Sequence, residues 1–592
     1  METWITAGYE PSLPVTEKSN PLTRDIDKAD AKHIVHLLKN CDAEIFKKEW
    51  DAHESYQTLS SESVIQKMIH LAKKVEEMLK DPEESLIVMS GCGTSGRLAF
   101  LLATSFNGLL KELQHDQIYS YIIAGGDKAL LISQESTEDS PQRGVEMLRM
   151  ACEGKKRVLF IGISCGLSAP FVAGQIDFCM HNLNVFTPVV MGFNPVKMAR
   201  NEPICGWPLT FRRVLERMEE LQKSNEAFII NPVLGPEAIS GSSRLKGGSA
   251  TKIILETIFL AGHEAFFSSK NITVQHILKR MEIYKEVHTV TYSQSDKIAF
   301  LVQQVGESLQ QSGHVYYIGW SSLGVMGVID ASECIPTFGA DIEDVRGFIS
   351  KGYDELKNNE GDLSSVGPAF RIGHVDFVND VLPHVSKSDI IIFLFALDND
   401  LHDIETLANQ TKLKTSNLHA VCHAYPEFSL PIDLQKMFSS VLSIAWPAVP
   451  LESEGYHIKQ ELSTKWILNA ISTGGHILKG KIYCNYMLDL KVTNTKLFKR
   501  AVNILQKFTR CSHSESFKAL LQAIYDVEEL TDAMADADVI EHTIAASTRT
   551  RVLPTALVIL IRHCSVSEAK SRLDAHPVIR EAVEACLAAS QG

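Results

Sequence analysis

The stretch HVYYIGWSSLGVMGVIDASE (residues 314–333) repeats the pattern of SLIVMSGCGTSGRLAFLLATS (residues 85–105) at a shift of 228 positions, Gly91 falling on Gly319. Under that shift Thr94 meets Ser322, Gly96 meets Gly324 and Ala103 meets Ala331. Farther along, GSATKIILETI from Gly248 is answered by ELSTKWILNAI from Glu461, again with a Thr-Lys pair and an apolar stripe. Solenoid repeats are far shorter, so an interval of this length predicts two homologous domains in tandem. A chain of 592 residues is too long for a single core in any case.

Within the first half, apolar runs alternate with segments of helical spacing. SLIVMSG, SYIIAGG, RVLFIGI, TPVVMGF and AFIINP read as strands. Such alternation predicts an α/β fold, a parallel sheet covered on both faces with ligands at the carboxyl ends of its strands. Beyond Leu497 the chain turns helical, in LFKRAVNILQKF, SFKALLQAIYDVEEL and TALVILIRHC, which predicts a small all-α domain. The expected divisions are 1–285, 286–497 and 498–592.

Composition removes several function classes. A formal charge of −14 without a basic stripe argues against nucleic-acid binding. The longest apolar runs, IIIFLFAL and ALVILI, fall short of the ~20 residues of a membrane helix. The amino terminus lacks the basic-then-apolar layout of a signal peptide. Twelve cysteines with no CxxC pair suit a reducing compartment and a role as small core residues. His263 and His276 show no metal-ligand spacing and are expected in or near the core. No cofactor or metal is expected.

The chemistry concentrates in two loops. MSGCGTSGRL turns from a strand into a helix through glycines and hydroxyls, and Thr94 and Ser95 there are placed to donate to an anion at a helix start. Ser164-Cys165-Gly166-Leu167-Ser168 follows the strand RVLFIGI in the same manner. Either loop alone reads equally as a tight turn; together they favour one phosphate held between them. The second half carries Ala396-Leu397-Asp398-Asn399-Asp400 at the corresponding place, whose carboxylates would repel a phosphate. One sugar-phosphate site, mainly in the first half, is the expectation. Glu135 and Glu138 could accept from sugar hydroxyls or simply be solvated. Ser242, Ser243, Arg244 and Lys246 sit at an expected helix start, with a well-capped loop as the competing reading.

GTSGRL, GSSRLKGGSATK, DASECIPTFG and NYMLDLKVTNTKL together resemble the sugar isomerase (SIS) superfamily, in the branch of N-acetylmuramic acid 6-phosphate etherase. Two such domains in tandem with a helical tail, and stretches such as YEPSLPVTEKSNPLTRDIDKADA and GISCGLSAPFVAGQ, are similar to the glucokinase regulatory protein family. The resemblance implies two flavodoxin-like SIS domains with a carboxyl-terminal helical lid. It also implies a non-enzymatic inhibitor of glucokinase that competes with glucose. Fructose 6-phosphate would favour the glucokinase-binding form, fructose 1-phosphate would oppose it, and the complex would be held in the nucleus as well as the cytoplasm. Carried over position by position, the ligand residues are Thr94, Ser95, Glu138, Ser164, Cys165, Gly166 and Ser168, with Lys496 from VTNTKL; Ser243 and Arg244 are plausible additions.

In the etherase a glutamate of DASE serves as catalytic acid/base, and Ser105 stands at that place in the first half. The second half keeps Asp330-Ala331-Ser332-Glu333 but has GWSSLG where the phosphate loop belongs, a carboxylate expected to lack a substrate. The loop with Ala448, Val449, Pro450 and Leu451 is similar to one by which relatives touch glucokinase; a buried strand end is the competing reading. An active lyase or etherase, or an isomerase using Glu138 or Glu135 as base, are the alternatives.

Overall fold

The computed structural model describes residues 13–50, 56–425, 429–447, 456–576 and 578–588. The five apolar runs of the first half form β1 (Ser85–Gly91), β2 (Tyr119–Ile123), β3 (Arg157–Ile163), β4 (Phe186–Met191) and β5 (Phe228–Ile230). All pair in parallel, in the order β2-β1-β3-β4-β5. The second half builds β6 (Val315–Gly319), β7 (Val345–Ile349), β8 (Ile390–Ala396), β9 (Leu418–Ala424) and β10 (Ser440–Ala445). Their order, β10-β9-β8-β6-β7, is that of the first sheet when read from its own first strand. Strands covered on both faces are continuous apolar runs, and every residue of β8 (IIIFLFA) is buried.

The duplication holds at atomic detail. A Cβ on Gly91 would stand 2.6 Å from Ser95 Cβ, and one on Gly319 would stand 2.2 Å from Gly324 Cα. Strand end and first helical turn cross too closely for any side chain, which is why both glycine pairs recur. Gly93, before the first of these helices, has φ +51; its counterpart Ser321 keeps φ +52 without being glycine. The left-handed turn has outlasted the residue that favours it.

Two long helices cross the middle of the molecule. Lys246–Ser268 lies under Glu62–Leu79, and its counterpart Tyr456–Leu478 lies under Ser295–Gln310; the two also touch each other. Ala31–Ala43, although it precedes the first sheet, packs on Ser295–Gln310 and Tyr456–Leu478 of the second half. The tail forms a helical bundle around Val552–Arg562, whose first eight residues are all buried. The run ALVILI thus enters the centre of that bundle, with its residues through Ile559 buried, as expected of a helix apolar on most sides. Among the described residues no single helix is long and apolar enough to cross a membrane.

Candidate functional site

β1 and β3 are neighbours in the sheet, and Gly91 is the register partner of Ile163. The chain leaves β1 toward one side and β3 toward the other, so this is the point where the strand order reverses and a crevice opens. Both hydroxyl-bearing loops leave from it side by side. The cavity above them is lined by Thr94, Ser95, Glu138, Ser164, Cys165, Gly166, Ser168, Ser243, Arg244 and Lys496. The structure therefore brings all ten ligand candidates to one place.

Their roles in the wall differ. Ser164 Oγ accepts from the Ser168 and Ala169 N–H groups, 3.0 and 3.3 Å away, and so shapes its own loop. Cys165 is buried, with Sγ 3.8 Å from Ser95 Oγ, and burial pushes its thiol up. It packs the two loops together. Glu138 belongs to the short helix Glu135–Asp139 and is only 3% exposed. Lys496 Nζ donates to both of its oxygens, at 3.0 and 2.9 Å. The side chain of Glu135 lies outside the described residues.

Lys496 comes from the lid helix Thr495–Thr509, whose start is clasped by acids of the rest of the chain. Asp139 accepts from Thr495 N at 3.0 Å and from its hydroxyl at 2.5 Å. Arg500 donates to Glu17 at 2.9 and 2.7 Å, and Lys499 pairs with Glu202. A carboxylate at a helix amino terminus is favoured by the helix dipole as well as by these bonds. Thr16, Glu17 and Arg500 line the cavity and were not foreseen. VTEK reads as a turn and Arg500 as a tail residue, and nothing local says that they meet.

Arg244 borders the cavity, and its guanidinium donates to Asp330 Oδ1 (3.0 Å), Ser472 Oγ (3.2 Å) and Thr473 Oγ1 (2.7 Å), while its Nε has no hydrogen-bond partner among the described residues. Burial pushes the Asp330 carboxyl up to about 6. The start of the helix Lys246–Ser268 is likewise occupied. Glu237 accepts from the Lys246 and Gly247 N–H groups at 2.9 and 2.8 Å, and burial raises its carboxyl to about 7. Lys246 is buried against Glu44, 2.6 Å away.

The second half contributes more than expected. Pro336 and Thr337, from the helix Ser321–Phe338, close the cavity of the first half. Glu333 is buried one turn earlier on that helix, and its Oε1 has no hydrogen-bond partner among the described residues. Glu333 thus lies one turn from a residue of the cavity wall without lining the cavity itself. Parts of the chain split between the halves in sequence meet in space, since the helix that carries Glu333 closes the cavity above the hydroxyl-bearing loops of the first half. Ser105 faces the other way, its hydroxyl donating to Glu461 Oε1 at 3.1 Å. At the end of β6 in the second half, Trp320 sits buried among His374, Phe393 and Phe395.

This geometry decides what restoring the etherase residue would do. Ser105→Glu is expected to create no turnover, because position 105 is remote from the cavity. The new carboxylate would meet Glu461 and destabilise the protein by about 1–3 kcal/mol. Thermal melting and an assay with an amino-sugar phosphate check both parts.

Ala448, Val449, Pro450 and Leu451 lie outside the described residues. His263 is buried, hydrogen-bonded to Tyr119 at 2.8 Å, and burial lowers it to about 3; His276 is half-buried against Glu264. No group of His, Cys, Asp and Glu among the described residues has the geometry of a metal site.

Family models match three stretches of the chain. Residues 70–180 match the glucokinase regulatory protein N-terminal SIS domain, and residues 292–479 the second SIS domain of that protein. Residues 484–583 match its C-terminal lid domain. The chain is 51% identical to the glucokinase regulatory protein of Xenopus laevis over 587 residues, 99% of this chain and 95% of that protein. It is 48% identical to the Homo sapiens protein over 588 residues, 99% of this chain and 94% of that one. The N-acetylmuramic acid 6-phosphate etherase of Clostridium beijerinckii is 30% identical over 246 residues, 41% of this chain and 76% of the etherase.

Proposed function

Since the chain belongs to the glucokinase regulatory protein family, we propose that it is a glucokinase inhibitor, and not an enzyme, whose action is set by a fructose phosphate in the cavity at β1 and β3. Fructose 6-phosphate promotes the complex, fructose 1-phosphate relieves it, and inhibition competes with glucose. The complex is held in the nucleus of cells that also contain the protein in their cytoplasm.

The observation that carries this reading is the composition of one cavity. Two hydroxyl-bearing loops supply donors for a phosphate, Glu138 offers an acceptor for sugar hydroxyls, and the lid supplies Lys496. A dianion placed there competes with Glu138 for Lys496, and so acts on the attachment of a separate helical domain. A ligand shifts only an equilibrium whose states it binds unequally. Two esters that put the phosphate on different carbons present their remaining hydroxyls differently to the same walls, which gives each ester a different preference for the seated and released lid.

A second reading has one observation in its favour. Glu333 is a buried carboxylate one turn before Thr337 of the cavity wall, the type of group a general acid/base of an amino-sugar phosphate lyase would be. It is not among the residues that line the cavity, which favours the sensor.

The deciding experiment is a glucokinase assay at subsaturating glucose, with the purified protein alone and then with each ester. Inhibition that added glucose relieves and that the esters move in opposite directions is the expected result. Inhibition indifferent to both esters would remove the gating, and turnover of a sugar phosphate would favour the second reading.

A further inference from the structure

Occupancy of the cavity has to reach the lid, and Lys496 is not the only contact that joins them. Arg200 does not line the cavity, yet it binds the second phosphate loop and the first residue of the lid helix at once. Its N–H donates to the Leu167 carbonyl at 3.1 Å and its Nη1 to the Ser168 carbonyl at 3.4 Å. Its Nη2 donates to Thr495 Oγ1 at 3.3 Å. Asp139 Oδ1, which also accepts from the Thr495 hydroxyl, is 3.8 Å from Nη1.

The loop it holds is unusual in its own right. Leu167 is fully buried and has φ +52, a conformation that a bulky residue rarely adopts. It is seated over Gly192, where a Cβ would stand 2.3 Å from Leu167 Cδ2. Leu167 holds the loop from below and Arg200 from the side. A shift of Ser168 on ligand binding therefore has a rigid connection toward the lid, the planar guanidinium between Ser168 and Thr495.

We propose that Arg200 is a positioning residue that couples the phosphate loop to the seating of the lid helix. Sugar-phosphate control then depends on a residue that the ligand does not touch. The proposal rests on the reading above that the cavity takes a fructose phosphate. Its chemical requirement is the fork. A lysine keeps the charge beside Asp139 but has a single nitrogen and cannot span both acceptors in a fixed geometry. A merely structural staple would be satisfied by the charge.

The test uses the full-length protein and two variants, Arg200→Lys and Thr495→Val, the second leaving Arg200 and its hold on the loop intact. Circular dichroism establishes folding, calorimetry gives the affinity for fructose 6-phosphate and fructose 1-phosphate, and the glucokinase assay gives inhibition with and without saturating ester. The expected result is ester affinity within about threefold of the parent, and a with-to-without ratio that falls toward one from a parent value in the roughly 5–150-fold range of ordinary coupling. An unchanged ratio in both variants would overturn the proposal, as would a loss of response that disappears once ester is saturating. If Arg200→Lys does not fold, Thr495→Val alone decides. Failure of the parent to bind either ester would instead remove the reading on which the proposal rests.

Discussion

Lys496→Ala is expected to abolish the response of the protein to both fructose esters while leaving the chain folded. Lys496 is about a third exposed at the edge of the cavity, whereas its partner Glu138 is buried. Removing the lysine takes away a charge-assisted donor worth about 1.5–3 kcal/mol to a phosphate, a weakening of roughly 10- to 150-fold. It also takes away the cation that Glu138 faces at the cavity, and like charges of a carboxylate and a phosphate at short range in a partly desolvated site repel strongly. Both effects have the same sign, so the single variant should bind worse than the loss of one bond would predict. The lid keeps its other attachments, Arg500 to Glu17, Lys499 to Glu202 and Thr495 to Asp139. Its fold should therefore survive. The double variant Lys496→Ala/Glu138→Gln removes the repulsion with the charge and should recover part of the affinity. Calorimetry on parent, single and double variants checks the order. A single variant with parental affinity would take Lys496 out of the mechanism, and a double variant no better than the single would remove the electrostatic argument.

What could be read from the residues and what could not divides along physical lines. All five strands of the first sheet were legible, because a strand buried on both faces is a short apolar run bounded by turn residues. Both hydroxyl-bearing loops were legible as strand-to-helix turns, because such a turn needs glycines such as Gly91 and Gly96 at fixed spacing. The repeat made a second domain of the same kind legible too. The pairing of Lys496 with Glu138 was not, since the two are 358 positions apart and only the family resemblance joined them. Arg244 shows the reverse limit. Its local setting is that of a ligand-binding cation, and only the position of Asp330, from the other half, reveals the ion pair it also makes. The meeting of the Glu333 helix with the first half's loops was equally hidden. It depends on how two sheets are turned toward each other, for which no periodicity in either sheet is a guide. Thr16, Glu17 and Arg500 were missed for the same reason, being brought together by packing and not by any local pattern.

The contact between the two halves carries the largest predicted effect on stability. Lys252 is fully buried on the helix Lys246–Ser268, and its Nζ donates to Glu461 Oε2 at 2.6 Å from the helix Tyr456–Leu478 and also to Glu256. One cation thus serves two carboxylates away from water, and burial pushes Glu256 up to about 8. In the unfolded chain a glutamate titrates near ~4.3. The folded state therefore binds this proton more tightly, and the stability so gained is fully present at low pH and lost as pH rises through about 8. Each such group contributes a slope of at most about 1.4 kcal/mol per pH unit. Glu237, at about 7, and Asp330 and Asp42, each at about 6, are raised by burial in the same direction. Their slopes fade as pH passes about 6 to 7, so the interval from pH 7 to 8 isolates Glu256, whose own slope runs over the whole range between ~4.3 and about 8. Glu256→Gln should therefore flatten the fall in melting temperature between pH 7 and 8, and below pH 6 it should remove one group's share of a slope that the other three carboxyls keep. Lys252→Met should do the opposite of stabilising. It leaves the buried Glu461 carboxylate without its cation, beside a Glu256 that is already protonated near neutral pH, at a cost of about 3–5 kcal/mol. The loss should shrink in Lys252→Met/Glu461→Gln. Thermal melts of the four proteins from pH 5 to 9 decide the matter. Parallel curves for parent and Glu256→Gln would mean that the proton is not held there, and that the second carboxylate is neutralised by some group other than Lys252.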